Sequence, residues 1–351
     1  MPPKQSSRYP WGIESGFSRI HMNIIILEVC MKDLIVVPTI AYSHSQMMRD
    51  IEALKNTYPE LIRFDTAGVS VEGRELPLIE LGTGERQVFF CAAHHARDYI
   101  TSAYLMYAVN TYAKAAAENG KVGRHKMSDL LSRCTMVVMP MVNPDGVVLV
   151  QGGLKAVTDK ACVEKMVMVR PTYTEWMANI HGVDLGRQYP ALWEKKYTVM
   201  NGPASELYNG LSPATEPEVQ AVMRVCASRR FLSALAFYAK GETIEYADTE
   251  TDKKIPEAFR LAKRLSAVTG YAINTVCDNP GVFAAGFECW FRQEFLRPAL
   301  HINLSPSTGG AMPHHDRGFF TLVWDKTKAL CAEALSAACQ QKIEAPNEKA
   351  L

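Results

Sequence analysis

The segment of residues 91–101 constrains the fold most, because an apolar run ends there in a histidine pair and a helical pattern begins. Residues 88–93 are typical of a buried strand, and helical spacing starts at Ile100. His95 and Asp98 therefore lie between a strand end and a helix start, where open α/β sheets place ligands. An imidazole and a carboxylate at this spacing can share one metal ion. The alternative is a capping or core histidine.

Composition limits the classes of protein that this chain can belong to. It has 351 residues, 48% of them hydrophobic, and a formal net charge of +1. These values allow one large α/β domain and give no indication of a nucleic-acid partner. The longest early apolar run, residues 24–29, contains Glu28 and is too short to span a membrane, so no membrane partner is expected. Nine cysteines without CxxC spacing favour reduced thiols and a cytoplasmic protein.

Periodicity and turn residues predict the order of the remaining elements. The predicted helices cover residues 42–57, 100–120, 215–228, 256–269, 290–296 and 320–339. The predicted strands cover residues 61–70, 75–81, 88–93, 135–142, 231–238, 243–246 and 299–304. The Asn-Pro-Asp-Gly sequence at 143–146 is interpreted as a turn, followed by loops up to residue 215, where a capping box begins.

The domain organisation follows from the lack of an internal repeat or low-complexity linker in the sequence. We expect one domain over residues 41–342. Residues 1–40 form an N-terminal extension of uncertain order in this interpretation, and residues 343–351 form a polar tail.

Five segments, in this order, resemble the zinc carboxypeptidases of the carboxypeptidase A type. They are His95-Ala-Arg-Asp98, Val142-Asn-Pro-Asp-Gly146, Gly182-Val-Asp-Leu-Gly-Arg187, Gly202-Pro-Ala-Ser-Glu206 and Glu216-Pro-Glu218. Residues 150–154, 176–194 and 286–298 resemble the bacterial branch that cleaves γ-D-glutamyl-diaminopimelate bonds in cell-wall peptides. The resemblance covers residues 42–334. It implies a single α/β domain with a mixed sheet of roughly eight strands and helices on both faces.

The resemblance also implies a zinc site with three protein ligands and a position for water. His95 occupies the first ligand position and is retained. Asp98 stands where the family has glutamate, and its side chain is one methylene shorter. Tyr238 stands where the family has histidine, and a neutral phenol with a pKa near 10 is a poor zinc ligand. We therefore expect zinc to bind weakly or not at all.

The catalytic positions implied by the resemblance are also altered. Asn303 stands where the family has its catalytic glutamate, and an amide cannot accept and return a proton. Met177 stands where the family has a cation for the oxyanion. Arg187 is retained at the substrate-carboxylate position, although its family neighbour, asparagine, is here Gly186; Arg97 is a further substrate-binding candidate. These changes predict a catalytically dead or impaired member.

His301 offers an alternative base or ligand, because it lies two residues before Asn303 and faces the same side of the strand. His94, His314 and His315 are further candidates. The alternative is that His301 has no chemical role and is a core or pocket-lining residue.

Three functions therefore stay open. The first is an inactive protein that keeps a cleft for peptides with a free carboxylate, lined by Tyr189, Trp193 and His301. The second is an active γ-D-glutamyl-diaminopimelate peptidase or carboxypeptidase with a rebuilt site. The third is a protein retained for interactions on its surface. In the first case Arg187 binds the carboxylate, whereas a purely structural Arg187 would pair with an acid such as Asp184.

Overall fold

The computed structural model describes residues 34–307 and 318–341. Its strands are β1 (Ile62–Val69), β2 (Glu75–Leu81), β3 (Arg86–Ala92), β4 (Lys121–Val122), β5 (His125–Lys126), β6 (Cys134–Met139), β7 (Phe231–Tyr238), β8 (Thr243–Glu245), β9 (Ala272–Ile273) and β10 (Ala299–Asn303). Its α-helices are α1 (His44–Thr57), α2 (Ile100–Ala117), α3 (Met127–Leu131), α4 (Pro144–Gly152), α5 (Lys160–Glu164), α6 (Pro217–Ala227), α7 (Pro256–Thr269), α8 (Pro280–Phe283), α9 (Phe287–Phe295), α10 (Asp325–Thr327) and α11 (Leu330–Gln340).

Eight strands form one mixed sheet in the order β1-β2-β6-β3-β7-β10-β8-β9. The four central strands, β6, β3, β7 and β10, pair in parallel, whereas β2 and β8 join them in antiparallel fashion. This arrangement confirms the predicted mixed sheet of eight strands. Parallel strands end at the same edge of a sheet, which is where ligands bind in such folds.

Alternate side chains of the central strands pack against helices on opposite faces of the sheet. On one face, the ring of Phe89 in β3 lies 6.0 Å from that of Phe287 in α9. On the other face, the ring of Phe90 lies 6.5 Å from that of Phe237 in β7, which contacts Tyr104 of α2 at 5.2 Å. The central strands are mostly apolar because both faces of the sheet are covered.

The structure corrects the turn predicted at residues 143–146. Asn143 is instead the N-cap of α4, and its side-chain oxygen accepts a hydrogen bond from the Gly146 amide at 3.1 Å. Pro144 occupies the first helical turn, where its missing N–H removes no helical hydrogen bond. Turn and cap share the same chemistry, since in both an asparagine side chain accepts a bond from a nearby amide.

Other element boundaries also differ from the prediction. The N-cap of α6 is Glu216 rather than Thr215, and α9 begins at Phe287 rather than at residue 290. The predicted final helix is divided into a π-helix, Phe319–Trp324, followed by α10 and α11. No helix in the described part of the chain is long and apolar enough to cross a membrane.

Most of the predicted N-terminal extension and the whole polar tail lie outside the described residues. Within the described part of the extension, Val36 is buried, and its amide donates to Asn110 Oδ1 of α2 at 3.0 Å. The chain is therefore already packed against the domain at Val36.

A disulfide joins Cys134 at the start of β6 to Cys339 in α11. The expectation of reduced thiols throughout is wrong for this pair, because sequence spacing gave no sign that two cysteines 205 residues apart lie side by side. The other cysteines in the described residues are free: Cys91, Cys162, Cys226, Cys277, Cys289 and Cys331.

A buried ion pair fixes α9 to the sheet. Arg292 and Asp248 are only 5% and 0% exposed, and Arg292 Nη2 lies 2.7 Å from Asp248 Oδ2. Arg292 Nη1 also donates to the Ala299 carbonyl at the start of β10, at 2.7 Å. One guanidinium therefore joins a helix, a strand and the loop after β8.

We expect Arg292→Met to lower the free energy of unfolding by about 3–5 kcal/mol, because it leaves the Asp248 carboxylate buried without its partner. Urea denaturation followed by circular dichroism measures the change. The matched control is Arg63→Met, which breaks a pair with Glu80 whose arginine is 55% exposed. The control should cost about 1 kcal/mol or less. Equal losses in both variants would contradict the role assigned to Arg292.

Candidate functional site

The site begins where β3 ends. Ala93, directly after the strand, has a left-handed backbone with φ of 51°. Such a conformation is uncommon for a residue with a side chain and needs support from its surroundings. Here the Ala93 amide donates to Thr101 Oγ1 at 3.0 Å, and the Thr101 hydroxyl donates to the Asp98 carbonyl at 2.7 Å. The turn that carries His94 and His95 is thus fixed by the start of α2.

Asn143 holds the same turn from the side of β6. Its amide nitrogen donates to the carbonyls of His94 at 3.1 Å and Ala178 at 3.0 Å. The backbone amide of Asn143 donates to the Ala93 carbonyl at 3.1 Å. One side chain therefore caps α4 and joins the loop after β3 to the segment that contains Met177.

His95 lies between two carboxylates. Its Nδ1 is 3.4 Å from Asp98 Oδ2, and its Nε2 is 3.4 Å from Asp184 Oδ1. Burial opposes a charge on the imidazole, but hydrogen bonds to Asp184 and Asp98 outweigh it and raise the pKa of His95 to about 9. Burial likewise opposes the charge of Asp184, yet the hydrogen bond from His95 holds the pKa of that carboxyl well below its usual value.

Tyr238, the last residue of β7, is stacked flat on His301 of β10. Their ring centroids are 3.8 Å apart with an interplanar angle of 4°. The Tyr238 ring also lies 5.2 Å from that of His95. Burial, together with the nearby Glu288 carboxylate, raises the pKa of Tyr238 well above its usual value. The phenol is therefore neutral at physiological pH.

Glu288 at the start of α9 orients His301. The distance from His301 Nδ1 to Glu288 Oε1 is 3.2 Å, and His301 Nε2 lies 3.3 Å from Asn303 Oδ1. Burial lowers the pKa of His301, but the Glu288 charge and hydrogen bond outweigh it, so the net shift is upward. The Asn303 amide donates to Thr243 Oγ1 at 3.0 Å, which turns this side chain towards β8.

A cavity of about 290 Å³ opens beside these residues. Its lining includes His95, Met177, Asp184, Gly186, Arg187, Lys196, Tyr238, Glu245, Cys277, Glu288, Cys289, Arg292 and His301. Burial and the neighbouring Arg187 lower the pKa of Lys196 to about 8. The two cations line the cavity together with the carboxylates described above, so the cavity carries charges of both signs.

The guanidinium of Arg187 is held in place. Its Nε lies 3.3 Å from Asp184 Oδ2, and its Nη1 donates to the Tyr197 carbonyl at 3.2 Å and to Asn209 Oδ1 at 3.3 Å. The pairing with Asp184 considered from the sequence is present, while Arg187 also lines the cavity. The two roles are compatible in this arrangement.

Of the other site residues predicted from the sequence, two line the cavity and one does not. Met177 and Gly186 line the cavity; a Cβ at position 186 would lie 3.0 Å from His95 Nε2, so the glycine allows this close approach. Arg97 instead pairs with Glu206 at 3.6 Å and is not among the residues that line the cavity.

Tyr189 and Trp193 were expected to line the cleft, but neither does. Tyr189 is fully buried, and its hydroxyl lies 2.8 Å from His94 Nε2. Burial lowers the pKa of His94 to about 4, which keeps that imidazole neutral. His301, which was also expected there, does line the cavity. His314 and His315 lie outside the described residues.

The three family ligand positions can be tested against a zinc ion. The 3.4 Å between His95 Nδ1 and Asp98 Oδ2 is close to the spacing of two ligands on one tetrahedral zinc ion, about 3.3 Å. The Asp184 carboxylate on His95 Nε2 is also the partner that metal-bound imidazoles commonly have.

At the third position, however, Tyr238 is a neutral phenol stacked on His301. The described residues contain no group of three or more His, Cys, Asp or Glu that could hold a metal. The residues present do not fit a three-ligand zinc site.

A family model described as zinc carboxypeptidase matches residues 47–289 of this chain. The match covers more than half of the sequence, and the chain belongs to the zinc carboxypeptidase family. The matched region contains the positions of His95, Asp98, Arg187 and Tyr238, and it ends before β10.

Two curated relatives place the chain within this family. Gamma-D-glutamyl-L-diamino acid endopeptidase 1 of Lysinibacillus sphaericus is 32% identical over 271 residues, which cover 76% of this chain and 66% of that protein. Carboxypeptidase B of Astacus astacus is 26% identical over 259 residues, covering 70% of this chain and 79% of that protein. The chain thus spans just under two thirds of the first relative.

Solved structures confirm the fold. The chain is similar to thrombin activatable fibrinolysis inhibitor, with a TM-score of 0.65 and 16% identity over 86% of this chain and 75% of that one. Carboxypeptidase A from Helicoverpa armigera gives a TM-score of 0.64 at 16% identity, covering 95% of this chain and 83% of that one. At such low identity these likenesses establish the architecture alone.

Sequence reasoning gave no role in the site to Glu288 or Lys196, and considered Asp184 only as a structural partner of Arg187. Asp184 and Glu288 lie inside the segments that carry the family resemblance, so the signal for them was present. The approach of Glu288 to His301 depends on the packing of α9 against β10, which sequence spacing does not reveal.

We expect purified protein dialysed against a mild chelator to hold far less than one zinc ion per chain, because position 238 supplies no imidazole. Elemental analysis by mass spectrometry measures the content. Tyr238→His should retain more zinc than the wild type, since it restores a nitrogen ligand. Stoichiometric zinc in the wild-type protein would contradict the ligand assignment.

Proposed function

We propose that this protein binds peptides with a free carboxylate in the cavity beside His95 and does not hydrolyse them. The observation that carries the proposal is the stack of Tyr238 on His301 at 3.8 Å, at the position where the family has its third metal ligand. A protonated phenol held between aromatic neighbours supplies no ligand for an ion. The cavity still contains the cationic side chains of Arg187 and Lys196.

The binding part of the proposal rests on Arg187 and Lys196. Three contacts already fix the Arg187 guanidinium, so little side-chain entropy is lost when it binds a ligand. Lys196, on the same cavity, has its pKa lowered to about 8 by burial and by Arg187, as expected for two cations close together. An incoming carboxylate relieves this repulsion and can form charge-assisted hydrogen bonds with both groups.

The lack of turnover in the proposal rests on the groups around the reacting position. Asn303 stands where the family has a general base, and its amide is hydrogen-bonded to Thr243. Met177 lines the cavity where the family has a cation. A general base alone is typically worth about 10²–10⁴ in rate. Loss of the base, the cation and one metal ligand together removes the chemistry that the family uses, although such losses are not additive.

The proposed ligand class is a cell-wall peptide that contains γ-D-glutamyl-diaminopimelate. The name of the Lysinibacillus relative, a gamma-D-glutamyl-L-diamino acid endopeptidase, supports this class. The cavity offers a second argument, because Arg187 and Lys196 lie near Glu245 and Glu288 in one lining. A ligand with both amino and carboxylate groups matches such a mixed set of charges.

We expect isothermal titration calorimetry with a γ-D-Glu-diaminopimelate peptide to give a dissociation constant of about micromolar to millimolar, because no metal contact contributes. Arg187→Ala should weaken binding at least tenfold, which is the usual effect of losing a charge-assisted hydrogen bond. The matched control is Arg170→Ala, which removes an arginine bound to Glu206 outside the cavity. Equal binding by wild type and Arg187→Ala, or no binding by the wild type, would refute the retained site.

One observation favours a second function, an active peptidase with a rebuilt site. The carboxylate of Glu288 lies 3.2 Å from His301 Nδ1, and such a pair can fix an imidazole as a general base. His301 also lines the cavity. We rank this function second because His301 Nε2 faces Asn303 and its ring is covered by Tyr238.

We expect no hydrolysis of γ-D-Glu-diaminopimelate peptides by the wild type above background. The smallest set of changes expected to restore turnover is Asp98→Glu, Tyr238→His and Asn303→Glu together, because they return two ligands and the base. Liquid chromatography of the released products measures the rate. A zinc-dependent wild-type rate that disappears in His95→Ala would show an active enzyme, and its loss in His301→Ala would support the rebuilt site.

A further inference from the structure

A second and larger cavity lies at the opposite end of the central strands. It has a volume of about 640 Å³, against about 290 Å³ for the cavity beside His95. Arg230 directly precedes β7, and Arg297 precedes β10 with one residue between, whereas the candidate site lies where these two strands end. No described residue lines both cavities: Leu232, near the start of β7, lines this one, and Tyr238, at the end of the same strand, lines the cavity beside His95. We call this second cavity, lined by Arg230, Arg260, Arg264 and Arg297, the arginine groove; it is separate from the candidate site.

The lining of the arginine groove is strongly basic. Among the described residues, it contains four guanidinium groups, those of Arg230, Arg260, Arg264 and Arg297, and one carboxylate, that of Glu257. The whole chain is nearly neutral, with 38 lysines and arginines against 37 aspartates and glutamates. The positive charge is thus a local concentration and does not follow from a basic chain. Such a concentration attracts anions that carry more than one charge.

Two of these arginines differ in how firmly they are held. Arg264 donates to Glu333 Oε1 and Gln340 Oε1, both at 2.7 Å, so its guanidinium is fixed in the wall. Arg260 pairs with Glu257 at 3.1 Å, but the two side chains are 69% and 47% exposed. An exposed pair of this kind contributes little to stability. Arg260 can therefore exchange Glu257 for a ligand anion at small cost.

The groove also has an apolar wall. Leu232, Leu261 and Pro298 are buried and line it beside the partly exposed Phe295. Its volume lies within the range of about 300–1,000 Å³ that is usual for small-molecule sites. Apolar walls with a few cations suit a ligand that has an apolar or planar body and a multiply charged end.

We propose that the arginine groove is a binding site for a phosphate monoester, with the phosphate held by Arg230, Arg260 and Arg297 and an apolar body seated against Phe295. Phosphate fits better than a single carboxylate, because it carries nearly two charges at neutral pH and planar guanidinium forks bind its oxygens in pairs. The proposal is independent of the peptide-binding function and of zinc.

Phenyl phosphate is the probe, because it joins a phosphate to one flat ring. We expect calorimetry on the full chain at low salt to show saturable binding that is tighter than that of inorganic phosphate and of benzoate. Inorganic phosphate lacks the ring, and benzoate carries a ring but only one charge. Affinity should fall as salt is raised, since exposed charges are screened.

Arg230→Gln and Arg260→Gln should each weaken phenyl phosphate about tenfold, the usual effect of losing a charge-assisted hydrogen bond. Both arginines are exposed, so the variants are expected to fold, and thermal melting verifies it. The matched control is Lys263→Gln on the same helix, whose ammonium lies over the Phe259 ring and outside the groove lining. Its affinity should equal that of the wild type.

Four outcomes would overturn the proposal. The first is no saturable binding of phenyl phosphate at millimolar concentration. The second is equal weakening in Lys263→Gln and Arg260→Gln, which would indicate unspecific attraction. The third is binding that survives Arg230→Gln and Arg260→Gln but is lost in Arg187→Ala, which would place the ligand in the cavity beside His95. The fourth is equal affinity for benzoate, which would keep the groove as an anion site but reject phosphate as its ligand.

Discussion

The contact of His95 with two carboxylates organises the candidate site. Asp98 reaches His95 from the 3₁₀ turn after β3, and Asp184 reaches it from the loop that also carries Arg187. Asp184 further accepts amide hydrogen bonds from Gly186 at 3.1 Å and Leu207 at 3.3 Å. One imidazole therefore links the strand end to the segment that forms the wall of the cavity, and the position of Arg187 depends on it.

The neighbouring part of the site is built from aromatic packing. Tyr238 belongs to the buried cluster that includes Phe89, Phe287 and Trp290, and its ring covers His301. A tyrosine at this place adds apolar contact where a metal site needs an exposed nitrogen. The core of α9 and the central strands thus extends into the position where the family has its third ligand. The contacts of Tyr238 at this position are those of core packing.

Much of the fold was predictable because apolar period and turn chemistry are local signals. The strands at 75–81 and 231–238 were predicted with the bounds that the structure has. The helix at 256–269 was also predicted with its observed bounds, and Gly270 ends it with φ of 74°. Asn143 was assigned to a turn because a cap and a turn use the same side-chain bond, and only the following helix distinguishes them. The disulfide between Cys134 and Cys339 depends on the packing of α11 against β6, which has no local signal.

For the site, sequence reasoning reached the residues whose roles follow from position in a motif, and missed those whose roles follow from contact. Arg187, Met177 and Gly186 were named and line the cavity. Glu288 acquires its role only because α9 brings it to His301, on a strand 13 residues further along the chain. Lys196 reaches the cavity from the position directly after a short 3₁₀ turn, in a segment without a regular period.

The contacts also explain why the site changes as a unit. A Cβ on Gly186 would lie 3.0 Å from His95 Nε2, so the asparagine that the family has there needs His95 to move. Movement of His95 alters its contacts with Asp98 and Asp184 together. Tyr238 cannot be exchanged for a smaller imidazole without loss of contact with His301, whose orientation also depends on Glu288. A change at position 186 or 238 therefore also disturbs the contacts of His95 or His301.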